Sequence, residues 1–245
     1  MIKKFILLVV IIALAGYFIA AVTVLNKPKD GQICEQVEIL IEDSVEHCLI
    51  NEEDIQRYLV RKKIFPQGKP IQEVDLLALE STLKKSPYID QATCYKTATG
   101  SICIKVKSRQ VILHIINDSG ENYYLDNLGN PIPKSTYYAN MPIVTGHVSK
   151  QFAKQKLTNL GKIIQSDPFW NQQIEQIHVL QNGKLEIIPR VGKHTILFGE
   201  PKDFKKKLDK LKIFYEKGLS QVGWNKYSEI SLEYKDQIIC TKNKD

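Results

Sequence analysis

The chain has 245 residues, which is enough for one or two domains of ordinary size. Hydrophobic residues make up 43% and charged residues 25%, values that exclude a disordered, collagen-like or fibrous chain. The formal net charge of +7 comes mainly from lysines spread along the whole sequence. This pattern does not favour nucleic-acid binding, because nucleic-acid-binding proteins concentrate Lys and Arg on one face.

The N-terminal region predicts a membrane anchor. The segment from Phe5 to Leu25 contains no charged residue, and as a helix of about 31 Å it is long enough to cross a bilayer core. Residues 1–4 are then a cytoplasmic stub, and the chain after Leu25 lies across the membrane. The alternative is a cleaved signal peptide, with Ala13 and Ala15 forming the cleavage pattern. We favour the uncleaved anchor because the apolar run continues ten residues past Ala15.

After a linker at residues 26–35, the pattern of residues 36–108 predicts a β-α-α-β-β domain. Asn51 and Asp75 each precede a helical pattern and are predicted to be N-caps. The predicted strands are 37–41, 89–96 and 102–106, and the predicted helices are 52–59 and 76–83. The helical stripe of Leu76, Leu79 and Leu83 is expected to cover Ile102, Ile104 and Val106.

Residues 109–245 predict a mixed β-sheet domain with two helices, at 152–165 and 201–218. The predicted strands are 111–116, 123–126, 177–179, 185–188, 195–198 and a last one from Ser228 to about Cys240. Asn182-Gly183 is typical of a type I′ hairpin turn. The second helix carries a face of lysines, which we interpret as a solvated face rather than a membrane or acidic-partner patch: Lys202, Lys205, Lys206, Lys207, Lys210 and Lys212. The fold class is α/β, more exactly α+β.

The cysteines of an exported chain can form disulfides, but five cannot all pair. They are Cys34, Cys48, Cys94, Cys103 and Cys240. Cys94 and Cys103 flank a predicted turn, so they are either a cross-strand disulfide or buried thiols. No CxxC or His-x3-His spacing occurs, and we therefore expect no structural zinc and no cofactor.

The motifs of common enzymes are absent from the sequence, including a Gly-rich phosphate loop, GxSxG, HExxH and SxxK. Asp126 could be imagined as a catalytic carboxylate, but Asp-x-x-Gly is first a turn whose Asp caps backbone amides. His178 and His194 are interpreted as exposed strand histidines. An exported, membrane-tethered domain without such a site is most simply a binding module.

Six motifs in order then resemble the FtsQ/DivIB cell-division proteins along nearly the whole chain. They are Ser86–Ala92, Ile102–Arg109, Tyr123–Gly129, Met141–Gly146, Leu197–Gly199 and the closing Tyr227 with Ile230–Tyr234. The sequence departs from the family pattern at Ser108 and Val111, and at Ser231 and Glu233 in the last motif.

The resemblance implies a single transmembrane helix, a POTRA domain and a C-terminal β-domain. It also implies a non-enzymatic scaffold that binds FtsB/DivIC and FtsL and sits in the cell inner membrane, with most of the chain periplasmic and concentrated at the division septum. Small-molecule substrates and nucleic acids are not expected as partners.

Two other functions stay open at this point. A POTRA chaperone of envelope protein assembly would be expected to carry several POTRA repeats, and the sequence contains one such unit. An exported hydrolase with an unrecognised site is the alternative from another class.

The last predicted strand is expected to be the partner-binding edge, because no later strand follows it in the sequence. Its candidate contact residues are Ile230, Leu232 and Tyr234. Leu232 shares the face of Tyr234 and is expected to be core. In the resembled family the aromatic residue at the position of Tyr234 contributes to FtsB binding.

Overall fold

The computed structural model describes residues 2–21, 31–42, 49–135 and 141–243. Helix α1 spans Ile2–Ala20, and its apolar side chains from Val9 to Phe18 are exposed. Within the described ranges, no helix is long and apolar enough to span a membrane. Residues 22–25 of the predicted span lie outside these ranges, so the transmembrane helix stays a prediction.

The chain divides into two compact units. The first comprises Met1–Glu42 and Asn51–Lys107, and the second comprises Asp43–Ile50 and Ser108–Asp245.

The first unit contains a three-stranded sheet and two helices in the predicted β-α-α-β-β order. Its elements are β1 (Val37–Ile41), α2 (Glu52–Arg61), α3 (Leu76–Lys84), β2 (Ile89–Lys96) and β3 (Ile102–Ser108). The sheet order is β1-β3-β2, and β1 runs parallel to β3. β3 is the central strand of this sheet. Its alternate residues Ile102, Ile104 and Val106 are all buried, as expected for a strand with a neighbour on each side.

Both helices begin at the predicted caps. The Asn51 side chain accepts a hydrogen bond from the Asp54 amide at 2.8 Å, and the Asp54 carboxylate accepts one from the Asn51 amide. This reciprocal pair is a capping box, which satisfies amides that the first turn cannot bond itself. The Asp75 carboxylate accepts from the Ala78 amide in the same way. Polar residues before each apolar stripe therefore set the two helix starts.

Helix α3 presents the predicted apolar face to the unit's interior. Leu79 and Leu83 are buried and Leu76 is half-buried. The Glu80 carboxylate accepts a hydrogen bond from the Cys94 amide at 2.8 Å, which ties the helix to β2.

We predict that Leu79→Ala destabilises the first unit by about 2–5 kcal/mol, because it opens a cavity at a fully buried site. Leu79 is 1% exposed, whereas Leu77 on the same helix is 76% exposed. Hydrogen exchange of the β3 amides in the full chain measures the loss, and Leu77→Ala is the matched control. Equal exchange in the two variants would contradict the assigned helix face.

The second unit is built on a large mixed sheet. Its strands are β4 (Val111–Asn117), β5 (Asn122–Asp126), β6 (Pro131–Pro133), β7 (Ile143–Gly146), β8 (Ile174–Val179), β9 (Leu185–Pro189), β10 (Thr195–Gly199), β11 (Tyr227–Ser231) and β12 (Ile239–Lys242). The described strands lie in the order β12-β11-β10-β9-β8-β7-β4-β5-β6. Alternate residues of the central strands, such as Ile177, Ile187 and Ile196, join a single buried cluster with the helices.

The helices of this unit differ from the predicted two. The first is α4 (Lys150–Phe152), a π-helical stretch at Ala153–Leu157 and α5 (Thr158–Ser166), and the short α6 (Pro168–Gln173) follows it. Asp167 caps α6, since its carboxylate accepts from the Phe169 amide. The last helix begins at Phe204 rather than Pro201 and continues past Gly218 as α7 (Phe204–Phe214), Tyr215–Leu219 in π form and α8 (Ser220–Val222).

The hairpin between β8 and β9 is not closed by a type I′ turn. That turn needs a positive φ at both central residues, and among the described residues only Gly183 has one here, at 79°. The Gly183 amide bonds the Leu180 carbonyl, and the Leu180 amide bonds the Lys184 carbonyl. This geometry is a type I turn followed by a left-handed glycine, so the hairpin lies where predicted but with a three-residue loop.

His194, predicted to be exposed, lies in a buried aromatic cluster. Its Nε2 pairs with the Tyr215 hydroxyl at 2.7 Å, and Trp170 and Trp224 both pack against Tyr215. Burial lowers the pKa of His194, an effect that the backbone of Trp224 offsets only in part. The neutral imidazole is therefore the form that the fold stabilises.

We predict that the second unit loses stability as the pH falls below about 6.5, the ordinary pKa of histidine. With a lowered pKa in the folded state, the unfolded state binds the proton first, so acidification favours unfolding. Fluorescence-detected urea unfolding measures this directly, because both tryptophans of the chain lie in the cluster. His194→Gln should flatten the pH dependence relative to the exposed control His147→Gln. Parallel profiles for the two variants would exclude His194 as the titrating group.

Candidate functional site

The two ends of the nine-stranded sheet differ in their capacity to accept another strand. At one end β6 contains Pro131 and Pro133, and its only amide belongs to Ile132, which pairs with Tyr124 of β5. Proline has no amide hydrogen to donate to a new strand. At the other end, β12 has the sequence Ile-Cys-Thr-Lys and retains every amide. The β12 edge is therefore the end that can be extended.

Two residues of β12 have backbone amide and carbonyl groups that face away from the sheet. The Thr241 carbonyl accepts from the Ser228 hydroxyl, and the Asn243 amide donates to the Lys226 carbonyl at 3.1 Å, so both groups face the β11 side. Because neighbouring residues of a strand point their backbone groups in opposite directions, the amide and carbonyl groups of Cys240 and Lys242 face away from β11. Among the described strands, none lies on that side of β12.

The predicted last strand, Ser228 to about Cys240, is not one strand. The chain leaves β11 at Ser231, forms a loop and returns as β12, which pairs antiparallel with β11. We call residues 232–238 the edge loop. β11 is thus a covered strand between β10 and β12. A run of exposed polar residues at 235–237 interrupts the apolar alternation, and it is the sequence signal for this reversal.

The three predicted contact residues occupy different environments. Ile230 and Leu232 are buried in the core, as expected for Leu232, whereas Tyr234 is 49% exposed. The Leu232 amide bonds the Leu197 carbonyl, which anchors the start of the edge loop. Partner binding by these residues stays a prediction, and of the three side chains only that of Tyr234 is accessible to a partner.

A cavity of about 620 Å³ lies beside Tyr234, between helix α7 and the edge loop. Its lining contains twice as many basic as acidic side chains: Lys184, Lys202, Lys206, Lys207, Lys210 and Lys235 against Glu200, Asp203 and Glu233. Leu232 and Tyr234 complete the lining. We call this the lysine cavity.

Glu233, at which the sequence departs from the pattern of the resembled family, has a basic partner in the structure. Its carboxylate pairs with Lys184 at 2.8 Å, and this hydrogen bond raises the pKa of the lysine. Gly199 allows the close approach, because its φ is 76° and a Cβ there would lie 2.7 Å from the Glu233 side chain. The negative charge of Glu233 is thus matched by a local partner.

The lysine face of α7 is solvated only in part. Lys202, Lys205 and Lys206 are exposed, but Lys207 and Lys210 are half-buried. Lys207 donates to the carbonyls of Phe198 and Glu200, and burial lowers its pKa. The interpretation as a solvated face therefore holds for Lys202, Lys205 and Lys206 and is wrong for Lys207 and Lys210. Carbonyl oxygens do not neutralise an ammonium, so the cavity keeps its excess of positive charge.

Asp126 is a turn residue, as the sequence predicted. Its buried carboxylate accepts from the amides of Leu128 and Asn130 at 2.9 and 2.7 Å. It also pairs with Arg109 at 3.3 Å. These contacts occupy both carboxylate oxygens. No group of three or more potential metal ligands occurs among the described residues.

The cysteines that the structure describes, Cys34, Cys94, Cys103 and Cys240, are free thiols, and Cys48 lies outside the described residues. The bond from the Thr97 amide to the Ser101 carbonyl sets a hairpin register with Tyr95 opposite Cys103. Cys94 and Cys103 therefore point to opposite faces of the sheet, and of the two interpretations the buried thiols are correct. Burial raises the pKa of Cys94 to about 12.

Comparison with family models gave two matches. The model described as FtsQ/DivIB, C-terminal related, matches residues 110–241, and a POTRA-like domain model matches residues 32–107. Comparison with curated proteins gave no match. Together the two matches support a role in cell division, and domains of both kinds are typically non-catalytic scaffolds.

Proposed function

Since the chain belongs to the FtsQ/DivIB family, we propose that it is a non-enzymatic scaffold of the division machinery. In this proposal it binds the FtsB/DivIC-like and FtsL-like single-pass proteins and supports septum assembly. The observation that carries the proposal is the β12 edge, which leaves the backbone groups of Cys240 and Lys242 facing outward.

The partner segment adds to β12 as a further strand. Backbone pairing supplies hydrogen bonds without strict demands on the partner's sequence, and specificity then rests on neighbouring side chains. Tyr234 is the large amphipathic side chain nearest this edge along the chain, and it is accessible. Aromatic residues with this combination of apolar ring and polar hydroxyl are frequent hot spots of interfaces.

The partner carries acidic side chains next to the added strand. Six lysines against three acidic residues line the cavity that Tyr234 shares, so a carboxylate gains favourable electrostatics there. Such an attraction accelerates association most at low ionic strength, because salt screens exposed charges. The proposed partner is therefore a β-forming segment that is flanked by Asp or Glu.

The same proposal places the protein in the cell inner membrane at the septum, anchored by Phe5–Leu25, with both folded units on the periplasmic side. The exposed apolar side chains of α1, such as Val10, Ile12 and Phe18, support an apolar environment for this helix. Exposing such a surface to water is unfavourable by roughly 25 cal/mol for each Å².

We predict that Cys240→Pro weakens binding of the FtsB/DivIC-like extracytoplasmic segment about tenfold. The substitution removes one outward amide and places a ring against the incoming strand, while the inward bonds of β12 remain. Calorimetry with the full chain measures the affinity. Cys240→Ala, which loses the thiol and keeps the amide, is the matched control and should bind like the wild type. Undiminished binding by a folded proline variant would exclude strand addition at β12.

We also predict that Tyr234→Ala lowers the affinity for the same segment about thirtyfold, the effect of a hot spot worth about 2 kcal/mol. Tryptophan fluorescence should show an unchanged fold, because the side chain is half exposed. Gln237→Ala, an exposed neutral position of the same loop, is the matched control. Wild-type affinity in the tyrosine variant would remove Tyr234 from the interface.

A further inference from the structure

The middle of the edge loop is held by a single side chain. The Lys210 ammonium donates to the Tyr234 carbonyl at 2.8 Å and to the Gln237 carbonyl at 3.1 Å. These carbonyls lie three residues apart, so one ammonium ties together the two halves of the loop. Lys210 belongs to helix α7, where the adjacent Leu211 is buried in the core.

The other polar contacts of the loop lie at its start, and at its end Ile238 packs against the hydrophobic core. Leu232 bonds the Leu197 carbonyl, and Glu233 pairs with Lys184. Within the described part of the chain, no other hydrogen bond from outside the loop reaches residues 234–238. Lys210 is therefore the polar cross-link between the helix and the segment that carries Tyr234 and leads into β12.

A neighbouring lysine provides an internal comparison. Lys206 lies one helical turn before Lys210 and lines the same cavity, but it is exposed and makes no described hydrogen bond or ion pair with the loop. The two residues contribute the same charge to the cavity. Only Lys210 donates hydrogen bonds to carbonyls of the loop. Comparing variants of the two lysines therefore distinguishes an effect of these bonds from an effect of charge.

We propose that Lys210 is a positioning residue for the partner-binding edge, because its ammonium fixes the edge loop in the conformation that presents Tyr234 and directs the chain into β12. The binding part of this proposal rests on the proposed function, whereas the fixing of the loop does not. A loop that is already ordered loses less conformational entropy when a partner binds. Lys210 thus raises the affinity by ordering the loop, in addition to the charge that it shares with the other lysines of the cavity.

Hydrogen exchange of the full chain without any partner tests the loop itself. In Lys210→Met, which keeps the length of the side chain and removes its donors, the amides of Ile239 and Thr241, which pair with β11 where the edge loop enters β12, should exchange at least fivefold faster than in the wild type. Amides of β8 should be unchanged. Lys206→Met should exchange like the wild type, and Lys210→Arg, which keeps donors at this position, should restore much of the protection.

Two exchange results would overturn the proposal. One is unchanged exchange of the Ile239 and Thr241 amides in Lys210→Met, since the end of the loop would then be fixed by other contacts. The other is an equal rise in β8, since Lys210 would then support the whole unit rather than the loop.

Calorimetry with the FtsB/DivIC-like segment tests the consequence for binding. At high salt Lys210→Met should bind about tenfold more weakly while Lys206→Met binds like the wild type, because salt screens the lost charge. At low salt both variants should lose affinity, and Lys210→Met should lose more. An equal, salt-sensitive loss in both variants would show that charge alone matters and would overturn the positioning role. If the wild-type chain fails to bind, the proposed function fails, while the exchange measurement still decides whether Lys210 fixes the loop.

Discussion

An open β-sheet leaves a row of unpaired backbone groups at each end, and this constraint organises the C-terminal unit. The two edges of the sheet differ in their backbone donors. The prolines of β6 remove amide donors at one edge, and β12 keeps its amides at the other. The position of β12 in turn depends on β11, which pairs in parallel with β10 after the long helix that begins at Phe204. The position of the β12 edge therefore depends on the whole connection from β10 through the helix to β11, and not on the last few residues alone.

Local patterns predicted much of the fold because the forces that set it are local. The alternation in β3 and the polar caps Asn51 and Asp75 each reflect a period or a hydrogen bond within a few residues. Turn detail was harder to predict. Asn182-Gly183 is compatible with more than one type of hairpin turn. The type that forms depends on where the β8–β9 pairing ends, which is at the Leu180–Lys184 pair. The last strand was predicted too long because the polar residues at 235–237 were included in it.

The candidate site was accessible to sequence analysis only in part. Tyr234 is singled out by the closing motif of the family and is indeed exposed. The contacts of Lys207 and Lys210 were not predicted, because a lysine that bonds backbone carbonyls has the same sequence pattern as a lysine in water. The two carbonyls that Lys210 reaches lie 24 and 27 residues away in the chain. The burial of His194 was not predicted for a similar reason. Its partner Tyr215 lies 21 residues later in the chain, after the start of α7.

The prolines of β6 also limit how copies of this protein can assemble through the sheet. Head-to-tail growth requires two complementary ends, so that each added copy leaves a new end for the next one. Here one end is closed to pairing, and two copies joined through β12 would consume both of their open ends at once. Sheet continuation in this unit therefore terminates after a single pairing event. In the proposed mode of binding, each copy therefore accepts one strand at β12, and the nine-stranded sheet does not continue from copy to copy.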